Sequence, residues 1–166
     1  MPALDLFLYE EDHIALKQAV ERLCRESEAK AVFLIDKNGQ QIMAAGDYGD
    51  IDTVSLATLA AGNVAATDGL ARLLGEQGFT ILFHEGERDN IHISIVGDLA
   101  ILVVIFDERT SVGLVRLRVK RSTDALESVL LQAVERQQAL KEQSAKPEQK
   151  SGLQEITDEE IENLFK

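Results

Sequence analysis

The chain has one cysteine among 166 residues, and that excludes an intramolecular disulfide framework. A reducing, cytoplasmic setting is the natural reading. Cys24 falls inside an apolar helical pattern and is expected as a small buried hydrophobe rather than a nucleophile. Positive charge is also short: 17 basic residues face 29 acidic ones, for a net charge of −12. Nucleic acid and anionic membrane are therefore poor partners. No uncharged run is long and greasy enough to span a bilayer, so membrane insertion is not expected. Met1–Tyr9 has no basic residue and no small-residue cleavage site, so no signal peptide is expected.

Catalytic signatures are equally scarce. There is no GxxxxGK phosphate loop, no GxGxxG and no GxSxG elbow. His13, His84 and His92 lack zinc-type spacing. Arg72, Arg88, Arg109 and Arg116 are available as arginine fingers, yet nothing singles one out. No metal, cofactor or self-contained active site is expected.

What the chain does have is TVSLATLAAGNVAAT, Thr53 to Thr67, without one charge and with little bulk. A lone surface helix should carry a charged outer face. A helix that is apolar on one side and smooth on the other is expected to touch something on both. Helical spacing puts Leu56, Leu59, Ala60, Val64, Leu70, Ala71 and Leu74 on the side meant for the core. Thr58, Ala61, Gly62, Ala65, Gly69 and Arg72 fall opposite, as an outward docking face. Small residues permit close backbone approach. Gly62 and Gly69 each cost about 1 kcal/mol relative to alanine in a helix, so a partner should offset them.

Around this helix the pattern reads α-β-β-α-β-β-β-α. A helix is expected over 10–29, strands over 31–36 and 40–46, and the long helix from the Asp52 N-cap to Leu74. Asn38-Gly39 should supply the positive φ angles of a hairpin turn. Strands follow over 79–86, 90–97 and 99–106. In the second of these, Ile91, Ile93 and Ile95 face one side, and His92 and Ser94 the other. LAILVVIF is apolar throughout, as a central strand covered on both faces should be. A last helix covers 110–138, with a basic mid-section at Arg116, Arg118, Lys120 and Arg121. The fold class is α/β of the α+β kind: a five-stranded antiparallel sheet with helices on both faces. The domain is placed at 1–138, a disordered linker at 139–152 and a short C-terminal helix at 153–166.

That last segment, LQEITDEEIENLFK, has a capping box at Thr157 and Glu160. Ile161, Leu164 and Phe165 form one apolar stripe. Such a short helix is not stable alone and should fold on docking into a groove. Its own domain is the alternative dock.

The order of elements and the stretches LYEED, AKAVFLIDKNGQ, IDTVSLATLAAGNVAA, FHEG, VVIFDERTS, GLVRLR and ITDEEIENLF resemble the roadblock/dynein light chain family. The resemblance is specifically to bacterial members that regulate a small Ras-like GTPase of the MglA type. It runs from about Leu8 to Phe165 and is weakest in HIALKQAVERL and in the linker. It implies a homodimer pairing edge strands and middle helices, with Phe79, Ile81 and Phe83 at the strand edge. It implies one GTPase bound on the two middle helices, with Ala65 and Gly69 at contact positions. GTP hydrolysis would then be accelerated by repositioning the GTPase's own catalytic groups, without an arginine finger. The C-terminal helix would stabilise the complex and promote nucleotide exchange. A cytoplasmic role in cell polarity or motility, extending to a cell pole, goes with that reading. The alternative is a roadblock adaptor that recruits a GTPase or polarity protein without changing hydrolysis; a subunit of a motor or scaffold complex is a third reading.

Overall fold

The computed structural model describes residues 6–145 and 158–165. Its elements are α1 (Glu10–Ser27), β1 (Ala31–Asp36), β2 (Gln41–Gly46), α2 (Thr53–Leu74), β3 (Ile81–Glu85), β4 (Asn90–Val96), β5 (Ala100–Phe106), α3 (Val112–Ala145) and α4 (Asp158–Leu164). The five strands form one antiparallel sheet in the order β2-β1-β5-β4-β3. The expected α-β-β-α-β-β-β-α architecture is present.

The sheet has a core on each face. On one, α1 and α3 bury Leu16, Val20, Leu23, Val115, Val119, Leu126 and Leu130 with Val32, Leu34, Leu102, Val104 and Phe106. On the other, α2 buries Ala57, Ala60 and Val64 with Ala31, Phe33, Ile35, Ile93, Ile101 and Val103. Every residue of β5 is buried, because it lies at the sheet centre with helices on both sides. Double cover also explains His92 and Ser94. They alternate away from the isoleucines as expected, but that face lies under α3, and both are buried.

Turns and caps set the connections. Asp52 caps α2 by accepting from Ser55 N at 3.1 Å. The Lys37-Asn38-Gly39 turn departs from expectation: only Gly39 has a positive φ, +87°. Asp36 Oδ1 fixes this turn instead, accepting from both Asn38 N and Gln40 N at 2.9 Å. Gly39 is needed there twice over, since a Cβ would also lie 3.1 Å from Thr58 Cα of α2. Gly97 and Asp98 both have φ of +56°, which closes the β4–β5 hairpin tightly.

Two boundaries move. The strand expected over 79–86 is β3, Ile81–Glu85, so Phe79 precedes it. The last helix runs to Ala145 instead of stopping at 138, so 139–145 is helical rather than linker. The segment QQALKEQSA has little apolar content but is rich in good helix formers, and propensity carries it past the sheet. Residues 146–157, with the Thr157 cap, lie outside the described residues.

Candidate protein-docking surface

The surface is built on α2. Ala57, Ala60, Val64 and Ala71 face the sheet and are buried. The stripe they define is narrow and made mostly of alanine. Its centre is rotated from the one expected from the leucines. Leu59, Leu70, Leu73 and Leu74, of which the first, second and fourth were expected in the core, are between 57% and 83% exposed. Leu56 is only half-buried. Helical spacing misjudged the phase because α2 has almost no polar side to oppose an apolar one. Small residues let the helix lie close to the sheet, and the leucines project away from it.

The outward face is therefore two shoulders. Thr58, Gly62, Ala65, Gly69 and Arg72 are exposed along one, and Ala61 is half-buried at its margin. Leu59, Leu70 and Leu73 stand along the other. Gly62 and Gly69 have open space where a Cβ would sit: nothing lies within 4 Å. Nothing among the described residues therefore requires glycine at either position.

Beside α2, β3 is an edge of the sheet with no strand on its outer side among the described residues. Phe79, Ile81 and Phe83 are 38%, 45% and 36% exposed. Cross-strand register shows where the strand's side chains point. Phe83 pairs with His92 and Ile81 with Ser94, so both face the α1/α3 side. Phe83 stacks on Phe106 with ring centroids 6.1 Å apart. Leu82 and His84 face α2, and Asn63 Nδ2 lies 2.8 Å from His84 Nε2. The edge strand thus exposes Ile81 and Phe83 on one face of the sheet, and α2 exposes its leucines on the other.

The remaining expected site residues lie on α4. Leu164 and Phe165 are exposed, and the side chain of Ile161 lies outside the described residues. The structure brings Thr58, Gly62, Ala65, Gly69 and Arg72 onto one helix face but does not join them to α4.

Several polar groups elsewhere have structural roles. Arg109 Nε bonds both carboxylate oxygens of Asp107 at 2.9 and 3.1 Å, which holds the Asp107 carboxyl below the usual carboxylate range. Burial pushes the Cys24 thiol up, as suits a core residue. Burial, then the nearby Arg116 charge, pushes His92 below the ordinary histidine value. Sequence reasoning missed one clamp entirely. Asp12 accepts from Tyr9 N at 2.9 Å and pairs with Arg136, whose guanidinium lies 3.9 Å from the Tyr9 ring centroid. It staples the N-terminal segment and α1 to α3. Among the described residues no three His, Cys, Asp or Glu side chains are grouped to hold a metal. No helix among them is long and apolar enough to cross a membrane.

Known structures share this fold. Myxococcus xanthus MglB is 51% identical, with a TM-score of 0.73, over 77% of this chain and 96% of that one. The gliding protein MglB of Thermus thermophilus is 35% identical, with a TM-score of 0.73, over 77% and 97%. An MglB with a tetrameric arrangement is also 35% identical, with a TM-score of 0.73, over 78% and 97%. No protein of curated function matches the chain. The Roadblock/LC7 domain family matches residues 16–106, the span from α1 through β5 that carries both the edge strand and the exposed helix. With the whole sheet inside that match, the chain belongs to the Roadblock/LC7 family.

Proposed function

We propose that this chain is a homodimeric regulator of a small Ras-like GTPase of the MglA type and accelerates GTP hydrolysis without supplying a catalytic group. The observation that carries this reading is the outward face of α2. Its leucine shoulder is exposed in a single chain, beside two glycines that nothing among the described residues requires. Burying a leucine contributes roughly 1.5–3 kcal/mol. Two protomers offering such a ridge offset much of the about 4–15 kcal/mol cost of association. The β3 edge adds main-chain hydrogen bonds to the same contact. We assign the leucine shoulder and β3 to the dimer, and the small shoulder, with Ala65 and Gly69, to the GTPase. Similarity to MglB proteins over most of the chain supports the general reading of a GTPase regulator.

A regulator without catalytic residues acts through binding alone. A flat surface that fits the GTPase's switch loops only in their hydrolytic arrangement lowers the free energy of that state. The Leu164 and Phe165 stripe of α4 adds contact to the GTPase and favours exchange in this reading. The test is single-turnover GTP hydrolysis by the cognate GTPase, with and without this protein. Acceleration that disappears with Gly69→Arg supports activation through α2. Nucleotide-dependent binding without acceleration moves the protein to the adaptor class.

A further inference from the structure

The dimer reading gives the opposite face of the sheet a feature that a single chain lacks. There, α3 lies over β5 and β4, and among the described residues no helix lies above β3. Ile81 and Phe83 point into that open space, with Phe79 just before them. The flank of α3 that faces it carries Arg116 and Lys120, both exposed and without an ion-pair partner among the described residues. Glu127, at Gly97, bounds this basic section.

Pairing two β3 edges would close the space into a trough floored by two copies of Ile81 and Phe83, with Glu85 at the end of each strand, and walled by two α3 helices. With strands about 4.8 Å apart, the two α3 axes would stand roughly 18–20 Å from each other. Helices pack at about 8–10 Å between axes, so the gap accepts one further helix and no more. The section where Ile81 and Phe83 lie between Arg116 and Lys120 suits an amphipathic helix with acidic flanks.

We propose that this trough takes up α4 of the chain's own tail, one copy per dimer. This rests on the dimer reading above. Leu164 and Phe165 of α4 are 74% and 87% exposed, and Glu159 and Glu162 are exposed beside them. Acidic side chains meet Arg116 and Lys120, while the apolar stripe meets Ile81 and Phe83. The reach is sufficient. Helical rise puts Ala145 roughly 38 Å from Lys120. Residues 146–157 can extend to about 43 Å. A single trough on a two-fold axis holds one of two tails, so the other stays available to a GTPase on the α2 face.

The chain has no tryptophan, so Phe165→Trp places a unique reporter on α4 in the full-length protein. Mass is followed by light scattering in the same samples. In the dimer at low salt, about half of the emission from the introduced indole should be blue-shifted and shielded from iodide. Raising the salt should expose it. The Arg116→Glu, Lys120→Glu pair should expose it while the mass stays dimeric. Adding Glu159→Lys and Glu162→Lys to that pair should restore shielding. A dimer whose reporter is fully exposed at low salt overturns the inference but leaves the dimer reading intact. Shielding that ignores the charge reversal also overturns it. A monomeric mass overturns the dimer reading and the trough with it.

Discussion

Asn63 Nδ2 and His84 Nε2 lie 2.8 Å apart and tie α2 to the edge strand β3. The two elements assigned to partner contact are thus linked by side chains across the rim of the sheet. Replacing Asn63 with Ala should lower stability by roughly 0.5–1.5 kcal/mol, the net value of such a bond. Amide hydrogen exchange should speed up in β3 before it does in β1 or β5. Uniform acceleration across the sheet would show that the link carries no local role.

Gly69 separates stability from function. Its Cβ position is empty and its helix is regular, so Gly69→Ala should raise the unfolding free energy of the chain by about 0.8–1 kcal/mol. Gly69→Arg should leave folding intact and abolish GTPase binding. Chemical denaturation and pull-down measure the two effects separately. A destabilised Gly69→Ala would mean that the dimer already packs against that position.

The leucine shoulder should govern self-association. Leu59→Asp with Leu73→Asp puts charge on side chains that are 72% and 83% exposed in one chain, so each protomer should still fold. The mass in solution should fall from dimer to monomer. Retained dimer mass would assign the leucines to another partner.

His92 should make stability fall on mild acidification. Its ring is fully buried, with neither nitrogen hydrogen-bonded among the described residues, and burial lowers its pKa below the ordinary 6.5. As pH falls through 6.5, the unfolded chain takes up a proton that the folded chain refuses, and stability is lost until the lower folded pKa is reached. The melting temperature should therefore drop as the pH falls through 6.5. His92→Leu should flatten that part of the profile and raise stability at neutral pH, since it removes two unpaired buried atoms. An unchanged profile in the variant would assign the pH response elsewhere.

Most of the fold is readable from the sequence because its signals are local. Asp52 and the Gly75 C-cap bound α2, and the unbroken apolar run of β5 places it at the centre of the sheet. Alternation in β4 separates Ile93 from His92 correctly. The docking helix is recognisable from its lack of charge, but its rotation is not. Leucine spacing implies one buried face. The sheet takes only the side of that face where Ala60, Val64 and Ala71 are buried as expected, because alanines at 57, 60 and 71 allow closer packing than leucines do. The continuation of α3 to Ala145 is illegible for a related reason. Apolar periodicity marks where a helix packs, whereas propensity decides how far it extends beyond the packing.

Composition and pattern by themselves determined the class of protein: an acidic, single-cysteine domain of alternating helices and strands, with a bare small-residue helix and no catalytic motif. Only the tertiary structure decided which side chains that helix offers outward, that His92 is sealed under α3, and that β3 is left as an open edge beside it. The reason is physical. Local sequence fixes backbone hydrogen bonding and turn geometry within a few residues. Which face of an element meets water depends on the summed packing of elements distant in the chain, and no single segment contains that information.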